Sequence, residues 1–164
     1  MKFEIPVPLK IAAVVLGATG LYTYIGQLVP QKEVLPPTET VLTADMTSDD
    51  LAEIGFEVAN GKGICFSCHT LGKSGSLRFP DLDGVATRAE TRFEGIPGLQ
   101  YMARSIYYPD EFIVEGFSPG MPVIDKPPIG LTDDEIIAVL AYLQSLGGTP
   151  TVTLETTKAD LGVE

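Results

Sequence analysis

The 164-residue chain holds two cysteines and one histidine, and all three fall within Cys65-Phe66-Ser67-Cys68-His69. This Cys-x-x-Cys-His run has the spacing of covalent haem attachment: two thiols add across porphyrin vinyl groups, and the adjacent histidine is delivered to the iron. Other chemistries fit less well. Structural zinc takes four protein ligands, and here two would have to be carboxylates. A thioredoxin-like pair sits at a helix start within a βαβ unit, and the surrounding pattern lacks such strands. A disulfide across two intervening residues is strained, and a disulfide scaffold needs several spaced cysteines. One haem c, held by Cys65 and Cys68 with His69 as an iron ligand, is the expectation.

With no second histidine, the sixth iron position must go to methionine, to a weaker group, or stay open. Met1 is at the wrong end, Met46 lies in a proline-rich approach, and Met102 sits amid a helical stretch. Met121, in Gly116-Phe117-Ser118-Pro119-Gly120-Met121-Pro122, lies on a loop stiffened by two prolines and is the expected ligand; the competing role is a gap-filling core methionine. With both axial positions filled there is no site for substrate, so the chain reads as a one-electron carrier and not an enzyme. The alternative is a haem enzyme or gas sensor with a labile sixth ligand. A peroxidase-like enzyme would also want a distal base, for which no second histidine exists.

Three helices are predicted to position these groups. Thr47 and Ser48, followed by Asp49, Asp50 and Glu53, make a helix start; Leu51, Ile54 and Val58 supply its stripe, and Asn60-Gly61 with Gly63 ends it just before Cys65. Leu99 to Ile106 reads as a helix between Pro97-Gly98 and Pro109. Thr132 to Glu135 is a capping box opening an apolar stripe from Ile136 to Leu146 that stops at Gly147-Gly148. The tail, 148–164, alternates Thr with Val and Leu and reads as extended and surface-bound, without the apolar mass to build a core.

Upstream, Ile11 to Val29 is uncharged for nineteen residues, roughly 28 Å as a helix at ~1.5 Å per residue, enough to cross a bilayer. Lys2 and Lys10 precede it, which places the N-terminus in the cytoplasm and the haem domain on the periplasmic or extracytoplasmic side. No Ala-x-Ala-type site closes the stretch, which favours a retained anchor over a cleaved signal. Residues 31–47, with paired prolines and no apolar periodicity, read as a linker. A formal charge of −11 argues against nucleic acid as a partner, while Lys62, Lys73 and Arg78 could make a locally positive rim near the motif.

These motifs together resemble the class I cytochromes c over roughly Ser48 to Gly147: a first helix, the Cys-x-x-Cys-His site, a proline loop, a middle helix, a Met-Pro loop and a last helix crossing the first. The resemblance implies an all-α fold, preceded here by a single N-terminal transmembrane helix. The chain then divides into anchor (1–30), linker (31–47), haem domain (48–147) and tail (148–164). It also implies that Gly55 and Phe56 meet Tyr142 at the helix crossing. Phe79-Pro80-Asp81-Leu82 is similar to the family's Pro-x-Leu loop, which implies that the Pro80 carbonyl accepts a bond from the second nitrogen of His69. Arg88 and Arg104 are candidates to pair with the haem propionates. The layout resembles membrane-anchored monohaem subunits, such as those of alternative complex III or nitric oxide reductases. Its implied partners are other redox proteins of a membrane electron-transport complex, including a terminal oxidase or reaction centre.

Overall fold

The structure, a computed structural model, describes residues 4–29 and 41–164. Two units separate, one within Met1–Pro36 and one within Pro37–Glu164.

The first unit is helix α1, Val7–Leu28, 22 residues entered through Pro6 and Val7-Pro8. Proline is tolerated there because the first helical N–H groups have no intrahelical partner. It starts four residues before the uncharged stretch and includes Lys10. Within its unit the helix buries none of its residues, and it is long and apolar enough to cross a membrane.

The second unit is helical, with no strand among the described residues. Helix α2, Ser48–Asn60, is opened by a capping box in which Thr47 and Asp50 exchange side-chain and backbone bonds. Helix α5, Asp133–Ser145, starts the same way with Thr132 and Glu135. Its residues from Ile136 to Gln144 are all buried, so it is apolar round its whole circumference, as the central helix of a core must be. Helix α2 crosses it at Gly55: a Cβ there would lie 1.9 Å from the Ala138 carbonyl oxygen. Only a residue without a side chain permits that approach. Phe56 packs on Tyr142 at 5.4 Å between ring centroids, and Phe66 of the attachment motif joins them.

Helix α4, Gly98–Tyr107, buries Tyr101, Met102, Ala103, Ile106 and Tyr107. Helix α3, Val85–Arg92, was not foreseen from the sequence. It is eight residues long and buries only Ala86 and Ala89, and such small side chains leave little periodic signal. It fits because Gly147 touches Thr87 and Gly84, while Ala86 N–H donates to the Leu146 carbonyl at 3.1 Å.

The tail differs from its expectation. Val152, Leu161 and Val163 are 5% exposed or less and belong to the core. Val152 stands apart from the other two, and Leu161 and Val163 are split by Gly162, so no helical stripe betrays them. Gln144 holds the tail's start through bonds to Thr151 and Val152, and Tyr108 bonds the backbone of Glu164 at its end. Of the expected linker, residues 31–40 lie outside the described residues. The remainder joins the globular unit, with Leu42 and Met46 packed against the core.

Candidate functional site

The attachment motif follows α2 directly. Gly63 N–H caps back to the Val58 carbonyl at 2.7 Å, and the chain then passes through Ile64 at φ +49°, a left-handed conformation that a β-branched residue rarely adopts. Cys65–Ser67 forms one 3₁₀ turn, and His69 N–H closes on the Cys65 carbonyl at 2.9 Å. This tight turn aims Cys65, Cys68 and His69 into a common cleft. Cys65 is partly buried, which pushes its thiol above the ordinary cysteine value, and Cys68 is exposed. The two sulfurs form no disulfide.

The cleft is partly open to solvent. Its walls come from the 63–69 turn, the 79–85 segment, α3, α4, the loop from Pro109 to Ile124, and α5. They are mostly apolar, with Leu82, Ile106, Val139 and Leu143 among them. Phe93, Tyr101 and Phe112 form an aromatic cluster with centroids 4.6–5.5 Å apart, of which Tyr101 and Phe112 reach the cleft.

Nδ1 of His69 lies 2.7 Å from the Pro80 carbonyl oxygen. A carbonyl can only accept, so Nδ1 carries the proton and Nε2 is the nitrogen left with a free lone pair. Met121, partly buried on its proline-braced loop, lines the same cleft; so does Met102 from α4. Arg88 is at the cleft, with its guanidinium donating to the carbonyls of Asp81, at 2.6 Å, and Asp83. Arg104 is not among the lining residues. It pairs with Glu111 and stacks over Phe112 at 5.1 Å, one ring removed from the cleft.

Sequence reasoning missed Arg92, which lines the cleft and makes no ion pair among the described residues. Its four-residue spacing from Arg88 places both on one helix face, but that signal appears only once α3 is known. Of the three cations near the motif in sequence, Lys62 is neutralised by Glu135 at 2.7 Å. Arg78 stacks over Phe79 at 5.3 Å, whose ring lies 6.3 Å from that of His69.

The fold and motif define a class: a small helical domain whose two crossing helices carry a covalent haem-attachment site at the mouth of an apolar cleft. The cytochrome c family model matches residues 52–147, more than half of the chain, and the chain belongs to that family. Members are non-catalytic electron carriers, and this is the role of the domain. Among curated proteins none matches the chain. The residues present fit the haem that the family implies: two thiols and an imidazole with one free nitrogen face a cleft walled by apolar side chains, with cationic residues at its edge.

Proposed function

We infer that this chain is a membrane-anchored, monohaem class I cytochrome c that passes single electrons among redox proteins of a membrane electron-transport complex. The observation that supports this reading best is the convergence of Cys65, Cys68, His69 and Met121 on one apolar cleft. Cys65 and Cys68 would hold one haem c by thioether links, and His69 and Met121 would be the protein ligands of its iron. Bound there, the haem supplies a one-electron iron couple whose potential is raised by histidine–methionine ligation.

The residues of the chain do the rest. The Pro80 carbonyl fixes the His69 ring and its tautomer. Pro119 and Pro122 stiffen the loop that presents Met121. Apolar walls from α4 and α5 exclude water, which keeps the local dielectric low. Arg88 and Arg92 are the cations proposed to face the propionates, with Arg104 behind Phe112.

Helix α1 would span about 33 Å at ~1.5 Å per residue, matching a hydrocarbon core of about 30 Å. Lys2 and Lys10 would keep the N-terminus cytoplasmic and the haem domain periplasmic. A tethered carrier meets its partners in or beside its own membrane, which suits a subunit of an assembly such as alternative complex III, or a donor to a terminal oxidase or reaction centre.

The test is a visible and near-infrared spectrum of the detergent-solubilised full chain, comparing wild type with Met121→Ala and Met102→Ala. A c-type reduced spectrum with the methionine-to-iron band, lost only in Met121→Ala, is expected. A band lost in Met102→Ala instead would move the ligand to α4. Rapid stoichiometric carbon monoxide binding by the reduced wild type would overturn the carrier with both positions filled.

A further inference from the structure

The residue after Pro80 makes more hydrogen bonds than its place in a surface loop would lead one to expect. Both carboxylate oxygens of Asp81 are doubly occupied. Oδ2 accepts from the Thr70 hydroxyl at 2.5 Å and from Lys73 N–H at 2.9 Å. Oδ1 accepts from Gly72 N–H at 3.0 Å and Asp83 N–H at 2.9 Å. These four bonds hold the carboxyl at a pKa of about 2, the Thr70 hydroxyl contributing most. The backbone of the same short segment is gripped from the other side, where the Arg88 guanidinium donates to the carbonyls of Asp81 and Asp83.

The bonds connect two stretches that would otherwise be loosely related. Thr70, Gly72 and Lys73 follow His69, and the chain then runs through Gly72 and Gly75, both at positive φ, before returning at Phe79. Apart from Asp81, the one backbone bond between the stretches is Leu82 N–H to the Thr70 carbonyl at 2.8 Å. Asp81 therefore supplies three of the four bonds that tie the 70–73 turn to the segment carrying the Pro80 carbonyl, which stands 2.7 Å from Nδ1 of His69.

We propose that Asp81 is a positioning residue for the iron-ligating histidine: by riveting the 70–73 turn to the 80–83 segment, it sets the strength of the His69 Nδ1–H to Pro80 bond and thereby the reduction potential. A firmly accepted Nδ1–H makes the imidazole a better electron donor, which favours the ferric state. Loosening the rivet therefore raises the potential. This rests on the haem reading above.

The experiment uses the full haem-loaded chain and three variants. Asp81→Asn removes the charge and two-sided acceptance. Thr70→Val removes one donor and leaves the charge in place. Asp83→Asn removes an equal charge two residues away, from a carboxylate that makes no hydrogen bond among the described residues. Redox titration reads the potential, and NMR of the reduced protein reads solvent exchange of the His69 Nδ1 proton. Expected are a higher potential in Asp81→Asn and Thr70→Val than in Asp83→Asn, and exchange at least about tenfold faster in the first two only, the factor that about 1.4 kcal/mol of lost protection gives. Equal potential shifts in Asp81→Asn and Asp83→Asn, with exchange unchanged, would reduce Asp81 to a distant charge and overturn the proposal. If Asp81→Asn fails to mature, Thr70→Val decides alone. A wild type with no c-type spectrum would take down the haem reading itself, an outcome separate from either.

Discussion

Replacing Gly55 by alanine tests the helix crossing on which the site rests. The added Cβ would stand 1.9 Å from the Ala138 carbonyl oxygen, 2.5 Å from the carbonyl carbon and 2.9 Å from Tyr142 Cβ. Carbon–oxygen contacts normally lie at about 3.3–3.6 Å, so α2 and α5 must part locally by roughly 1.4 Å or more on that scale. What must yield is backbone in the buried stretch of α5, Ile136 to Gln144, which no rotamer change can relieve. Overpacking a core costs about 1–3 kcal/mol, and rigid neighbours place this site at the upper end. Alanine's better helix propensity returns about 1 kcal/mol. The net loss of about 2 kcal/mol corresponds to a fall in Tm of roughly 8 °C for a domain of this size. Thermal unfolding followed by far-ultraviolet circular dichroism measures it. A fall under about 2 °C, or a rise, on the same scale would refute the close-approach argument.

Acid stability should follow Asp81. Its folded pKa of about 2 lies below an ordinary value of about 3.9, so its contribution is present above about pH 4 and is lost as pH falls toward 2. Denaturant midpoints from pH 5 to 2 should show that loss, and Asp81→Asn should flatten the curve. Gln144→Ala removes the three bonds anchoring Thr151 and Val152 and leaves the buried Val152 N–H unpaired, a cost of about 1–3 kcal/mol; a lowered Tm with faster proteolysis in 149–164 is the expected pair of signs. Arg92→Ala should lower the reduction potential by removing a cation that lines the cleft, whereas Arg104→Ala, whose guanidinium lies off the cleft behind Phe112, should lower it less in the same redox titration.

Much of the site was legible because its chemistry is local. The Cys-x-x-Cys-His spacing is dictated by the macrocycle and lies in five consecutive residues, and the two capping boxes at Thr47 and Thr132 announce α2 and α5 without reference to anything distant. The apolar length of α1 was equally plain. Other features could not be read from neighbours in sequence. Helix α3 has too few apolar side chains for a stripe, and its two alanines matter only because Gly147 lets the chain pack on Gly84 and Thr87.

The tail looked too polar to bury anything, and it buries Val152, Leu161 and Val163 one at a time against a surface made by other helices. Arg88 and Arg104, alike as isolated basic residues, were separated by the fold: one lines the cleft while clasping backbone carbonyls, and the other is spent on Glu111. The sequence by itself determined the cofactor chemistry and the helix starts, because thiol spacing and caps act over a few residues. Only the tertiary structure decided that Arg92 faces the cleft, that Arg104 does not, and what closes the core, because those depend on how separate helices and the tail pack together.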